Sequence, residues 1–272
     1  MLSINTNAGA YAALQSLNAT NKQLQVVQNK LNTGLEIAGP KDNGAIYAIA
    51  QNQRSEVAGL NAVRQSLSRG VSVADVSIAA GQAISDILIE MKEKTVAARD
   101  ASLDTSSRTA LDADFSALRD QITTIVNNAE FNGINLLTGT NSLQVLANDD
   151  GSLLTVNAQN MQVSNGLGLT ASASDLTSVA AASAALIAVS AAITDVSAKL
   201  SDLGTGAKSL EIHDTFVSKL QDALNIGIGN LVDADLAAES ANLQSLQIKQ
   251  QLGIQALSIA NAAPQTILAL FR

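Results

Sequence analysis

The sequence predicts a mainly α protein: a long antiparallel helical rod or coiled coil formed by the N- and C-terminal segments, with a small β-hairpin-containing insert in the middle. Three observations carry this. Apolar residues recur at steps of three and four over long stretches at both ends. The two prolines, Pro40 and Pro264, stand near the ends, so the middle is free to form long helices. The 272 residues include no Trp, two Tyr and four Phe, so burial must come from Ala, Leu, Ile and Val. That suits thin helical layers better than a thick globule.

The first stripe is Tyr11, Leu14, Leu17, Leu24, Val27 and Leu31, opposite a Gln/Asn face. Asn32-Thr33-Gly34 stops this helix, and Gly39-Pro40-Lys41-Asp42-Asn43-Gly44 makes a loop. From about Ala45 to Ala101 nothing forces a break. Ile46, Ile49, Val57, Leu60, Val63, Leu67, Val71, Ile78, Ile84, Leu88 and Met91 form a near-heptad stripe. Gly59, Gly70 and Gly81 within it suggest close approach rather than termination. A helix of that length spans about 80 Å, too long for a compact domain.

Asp104-Thr105-Ser106-Ser107 is good N-cap chemistry for a further helix carrying Leu111, Phe115, Leu118, Ile122 and Ile125. Asn132-Gly133 marks a turn. Leu143–Leu146 and Leu154–Val156 flank Asn148-Asp149-Asp150-Gly151, a hairpin signal. Helical composition returns from Asp175 to Leu203, where Gly204-Thr205-Gly206 reads as a hinge before the next helix. The last stripe is Val232, Leu236, Leu243, Leu246, Ile254 and Leu257, with Gln250 in the seam and Pro264 as terminator. Two such stripes bury little as a lone pair, but many copies packed together would be stable, so the pattern points to self-assembly.

Composition excludes several function classes. With no Cys and a single His, thiolate metal sites, disulfides, cysteine nucleophiles and histidine clusters are all ruled out. Net charge is −8, and residues 120–198 contain no Lys or Arg, which excludes a nucleic-acid backbone binder. The uncharged run Leu176–Thr194 is long enough to span a membrane, but it is mostly Ala, Ser and Thr and reads as a closely packed helix. Met1–Asn7 lacks the basic and apolar regions of a Sec signal peptide.

No chemistry-bearing constellation survives. Gly204-Thr205-Gly206-Ala207-Lys208-Ser209 lacks the glycine spacing of a phosphate loop. Asp149-Asp150-Gly151 lacks the further ligands of a calcium loop, and Asp233-Ala234-Asp235 reads as an acidic helix start. His213 has no nucleophile or orienting partner in its pattern. The expectation is no enzymatic activity, no cofactor and no metal.

The N-terminal part carries Ser3–Asn7, Leu31-Asn32-Thr33-Gly34-Leu35-Glu36-Ile37, Lys41–Ala45 and Ala129-Glu130-Phe131-Asn132-Gly133-Ile134-Asn135-Leu136-Leu137. Near the C-terminus stand Val232-Asp233-Ala234-Asp235, Gln250-Gln251 and Pro264-Gln265 through Leu268, Leu270 and Arg272. On these motifs rests a resemblance to bacterial flagellin, of the short alphaproteobacterial type. It implies an inner-tube helix pair from 1–40 and 230–272, a helical rod layer from 41–137 and 176–229, and a small outer insert at 138–175. The implied function is a subunit that polymerises into the extracellular flagellar filament, a propeller for motility; the alternative is a hook–filament junction protein. The implied partners are further copies of the chain, the filament cap, hook-junction proteins, the export apparatus and a chaperone, with neither nucleic acid nor membrane. Export is expected through the flagellar type III channel, without a Sec signal.

The polymerisation interface is expected at Leu14, Leu17, Leu24, Leu31, Leu243, Leu246, Leu257, Ile267, Leu268, Leu270, Phe271 and Arg272. Flagellins recognised by the animal Toll-like flagellin receptor carry Leu-Gln-Arg-x-Arg-Glu-Leu, and the matching stretch here is Leu88-Ile89-Glu90-Met91-Lys92-Glu93-Lys94. Glu90 reverses a charge and Lys94 replaces an apolar residue, which predicts poor recognition. Their spacing lets Glu90 and Lys94 pair with each other.

Overall fold

The computed structural model describes residues 6–170 and 175–270, excepting the side chains of 263–270. Its elements in chain order are α1 (Ala8–Thr33), α2 (Gly44–Ala98), α3 (Thr105–Asn128), β1 (Leu143–Leu146), β2 (Leu153–Val156), α4 (Val179–Val232) and α5 (Leu236–Leu270). They fall into two units: 1–55 with 223–272, and 56–222. Sequence punctuation sits at Pro40 and near Asn230. The units instead divide inside α2 and α4, because a continuous helix carries no break in sequence where its partners change.

In the first unit, Asn7 caps α1 by accepting from Ala10 N, and Gly34 closes it in the left-handed conformation at φ 72°. The loop after α1 pairs with the α4–α5 junction: Glu36 N donates to Val232 O at 2.8 Å and Ala234 N to Gly34 O at 2.9 Å. Asn43 Oδ1 starts α2 by accepting from Ala45 N and Ile46 N. Asp235 Oδ1 starts α5 by accepting from Ala237 N and Ala238 N. α5 continues through Pro264 to Leu270, so this proline does not end the helix.

In the second unit, α2 and α4 run antiparallel: Arg64 Nε pairs with Asp214 at 3.2 Å, and Gln221 Nε2 donates to Val57 O at 3.2 Å. Buried positions of α2 follow an unbroken heptad: Leu60, Val63, Leu67, Gly70, Ala74, Ser77, Gly81, Ile84, Leu88, Met91, Thr95 and Ala98. Val71 and Ile78 of the expected stripe are only half-buried beside it. Between Leu67 and Ile84 the seam is made of small residues, which a search for large apolar side chains passes over.

α4 keeps the same period through Ala182, Ala185, Val189, Ala192, Val196, Lys199, Leu203, Gly206, Leu210, His213 and Val217. The expected hinge at Gly204–Gly206 is therefore absent, and the helix is continuous. Windows of α2 and α4 reach mean hydropathies of 1.3 and 1.9, apolar and long enough to cross a membrane. Their small apolar residues include these inward-facing seam positions.

The hairpin packs into this unit. Its register is Leu143↔Val156 and Val145↔Leu154, and it buries Leu143, Val145 and Val156. Seam glycines receive that face. A Cβ at Gly70 would stand 2.6 Å from Val145 Cγ1, and one at Gly206 would stand 2.7 Å from Val156 Cγ1. Gly81 likewise accepts Leu200 and Met161. Close approach, expected at Gly70 and Gly81, is what the structure has there. Lys199 Nζ then fastens the loop after β2, donating to Asn160 O at 2.6 Å and Gly166 O at 2.8 Å while pairing with Asp195.

α3 doubles back on the end of α2. Asp104 caps it, and hydrogen bonds from Ser106 and Ser107 hold that carboxyl down to about 2. Buried Arg108 reaches back to the last turn of α2, donating to Ala98 O, to Asp100 O at 3.0 Å and to Leu103 O at 3.5 Å. It satisfies carbonyls that a helix end leaves open.

Candidate assembly interface

The α1–α5 pair is the candidate site. On α1, Ala10, Ala13, Leu17, Thr20, Leu24, Val27 and Leu31 alternate at three and four residues and face inward. On α5, Glu239, Leu243, Leu246, Gln250, Gly253, Leu257 and Ala260 do the same. Both are heptad seams. Three polar contacts fix an antiparallel register: Asn7 Nδ2 to Ala260 O at 2.6 Å, Gln250 Nε2 to Asn21 Oδ1 at 2.7 Å, and Lys30 Nζ to Glu239 Oε1 at 3.4 Å. Lys30 also pairs with Glu36, and the Glu36 hydrogen bond leads in raising the Lys30 pKa. Leu17 packs at Gly253, where a Cβ would stand 3.3 Å from its Cδ1.

This seam takes up six of the seven expected interface residues whose side chains are described. Leu17, Leu24, Leu31, Leu243, Leu246 and Leu257 lie in contact positions within one chain. Leu14 stands outside it, 43% exposed. Tyr11 is also outside, because the small residues Ala10 and Ala13 hold the seam positions there. Ile267, Leu268 and Leu270 have side chains outside the described residues, and Phe271 and Arg272 lie outside them altogether.

Leu236 and Ile254, expected in the last stripe, are instead exposed on a second apolar face of α5, and sequence reasoning missed Val26 on α1 and Ile248, Leu252 and Ile259 on α5, which are exposed as well, Ile259 at 72%. The signal was present: Ile248, Leu252 and Ile259 repeat at helical spacing, offset by two from the seam. It was masked because Gln250 and Gly253 made the true seam look interrupted.

The receptor-motif positions lie in the second unit. Leu88 and Met91 are buried, while Glu90 is exposed. Lys94 bonds Asp114 of α3 at 2.9 Å rather than Glu90 of its own helix, and that hydrogen bond leads in raising its pKa. A tertiary partner here displaces the local i,i+4 pair that the spacing suggested. His213 is half-buried, with Nε2 2.7 Å from Ala147 O and its ring 5.9 Å from that of Phe216, a packing role against the hairpin. Among the described residues no group of His, Asp or Glu could hold a metal.

Residues 4–142 match the family profile of the bacterial flagellin N-terminal helical region, and residues 186–271 that of the C-terminal helical region. The chain is 54% identical over 271 residues to flagellin FljM of Caulobacter vibrioides, covering 99% of this chain and 98% of that one. It is 36% identical over 286 residues to a flagellin of Brucella melitensis, covering 100% of both. A solved structure from Vibrio parahaemolyticus, described as a flagellar hook-associated protein, has the same fold: TM-score 0.58 over 71% of this chain and 100% of that one, at 14% identity. The paired terminal helices, the hairpin-bearing helical unit and the end-to-end likeness agree: this chain belongs to the bacterial flagellin family.

Proposed function

We propose that this chain is the structural subunit of an extracellular flagellar filament, whose copies pack through the face that the α1–α5 seam leaves open. One observation carries the contact surface: Ile248, Leu252 and Ile259 form an exposed apolar row on a helix whose opposite side is already occupied. A row of this kind is a cost in a free monomer and a contact in an assembly. Charge supports the same division. The first unit carries six basic and five acidic side chains and the second ten and nineteen, making up the chain's sixteen and twenty-four. Copies therefore meet through a nearly neutral layer and stay soluble through an acidic one.

The finer reading follows the family. Unfolded export through the type III channel suits a chain without Cys. The filament cap, hook-junction proteins, export apparatus and chaperone are the expected partners, and the role is non-enzymatic. Poor binding to the Toll-like flagellin receptor belongs to the same reading, and exposed Glu90 together with Lys94 engaged by Asp114 supports it. Electron microscopy of purified protein tests it: micrometre filaments are expected, and short rings or caps that stop growing would instead favour the hook–filament junction alternative. Deleting residues 264–272 should leave a soluble, helical, non-polymerising chain, and normal filaments from that deletion would remove the tail from the contact.

A further inference from the structure

Beside the seam, α1 and α5 enclose an open groove of about 430 Å³. Val26, Val27 and Leu246 give its lining an apolar part, and the exposed Lys22 and Lys249 line it too. Neither lysine has an ion-pair or hydrogen-bond partner among the described residues. The unit's other α1 lysine, Lys30, is by contrast taken by Glu36 and Glu239. The same unit also holds carboxylates that no cation meets among the described residues. Asp233 is exposed, and Asp235 uses Oδ1 on Ala237 N and Ala238 N while neither of its oxygens meets a cation. Ile226, 66% exposed, and Leu236, 47% exposed, flank these two acids.

The two patches match in kind: two cations beside apolar side chains, and two carboxylates beside apolar side chains. They cannot meet within one chain. Asp235 and Lys249 are fourteen residues apart along α5, which at helical rise is about 20 Å of straight helix. Resting on the filament reading above, we infer that the Lys22–Lys249 groove of one copy receives the Asp233–Leu236 edge of a second copy. The contact is heterologous, because donor and acceptor are different surfaces. Such a contact leaves one unfilled groove and one unfilled edge after every addition, and so propagates as an open chain rather than closing as a dimer. Opposite charges fix which edge enters the groove and suppress self-matched groove-to-groove contacts.

The test is polymerisation of purified full-length chains, followed by light scattering and electron microscopy, with helix content checked by circular dichroism. A groove variant, Lys22→Glu with Lys249→Glu, and an edge variant, Asp233→Lys, should each keep monomer helicity and polymerise about tenfold more slowly, because each sets like charges together. Mixed in equal amounts they should copolymerise near the wild-type rate. Each glutamate groove then meets a lysine edge, and each native groove a native edge. Variants that polymerise alone at the wild-type rate would overturn the inference while leaving the filament reading intact. Slow variants that mixing does not rescue would overturn it too. Failure of the wild-type chain to polymerise would sink both.

Discussion

Gly204 and Gly206 stand two residues apart on α4, and alanine should stabilise at the first and not at the second. At 204 a Cβ meets nothing within 4 Å. Gly204→Ala therefore collects the helix-propensity gain, about 1 kcal/mol of stabilisation. At 206 a Cβ would stand 2.7 Å from Val156 Cγ1 and 3.3 Å from Cγ2, against an ordinary carbon contact of about 3.5–4.0 Å. Val156 is 4% exposed, β-branched and paired with Leu143, so it has little room to turn away. Overpacking of this kind costs about 1–3 kcal/mol, which the same propensity gain offsets by about 1. Gly206→Ala should then be neutral to destabilising by about 2 kcal/mol. The two variants differ by about 1–3 kcal/mol, or roughly 2–12 °C in Tm for a unit of this size. Thermal unfolding followed by circular dichroism reads this directly. Adding Val156→Ala should remove the overpacking, so the cost of Gly206→Ala should be far smaller in that background than in the wild type. The reasoning fails if Gly206→Ala raises Tm as much as Gly204→Ala does, because Gly206 would then be a hinge or a neutral surface position rather than a socket for the hairpin.

Arg108→Ala should cost about 2–3 kcal/mol by removing the side-chain donor from the Ala98 and Leu103 carbonyls and one of the two donors, the other being Leu103 N, from the Asp100 carbonyl; hydrogen exchange at residues 95–103 should rise, and unchanged protection there would refute the clamp. Asp104 has its pKa depressed to about 2, so its stabilising contribution is full above the unfolded value near 4 and is lost as pH falls from about 4 to 2. An Asp104→Asn variant should therefore lose less Tm than wild type across that window, and parallel acid limbs would contradict the assignment. Monomeric protein should be weak or silent on reporter cells carrying the Toll-like flagellin receptor, and Glu90→Arg with Lys94→Leu should raise the signal. Wild-type potency equal to that of a recognised flagellin would overturn this.

Much of the architecture was legible in residue order. Helix starts and stops were set locally: Gly34 needs a left-handed backbone, Asp104 offers a carboxylate to open N–H groups, and Asn132-Gly133 turns with φ of 52° and 81°. The hairpin followed from alternating residues around a polar turn, which is also local chemistry. The terminal seams were legible in period, and with them the tendency to assemble.

Tertiary structure decided which member of each stripe does what. Tyr11 and Leu14 look like core by size, yet Ala10 and Ala13 hold the α1 seam, because closely approaching helices favour small side chains where backbones meet. Gly206 looks like a break, yet it is the socket for Val156. Lys94 was spaced to pair with Glu90, yet α3 brings Asp114 to it. Sequence alone therefore determined the helical class, the capped helix ends and the periodicity, since those arise from propensity and hydrogen bonding within a few residues; it did not decide the continuity of α4 through Gly204–Gly206 or of α5 through Pro264. Only the tertiary structure divided inward from outward apolar residues and paired charges from unpaired ones. Both depend on which distant element arrives, and a side chain's burial and partners are properties of that meeting rather than of its own segment.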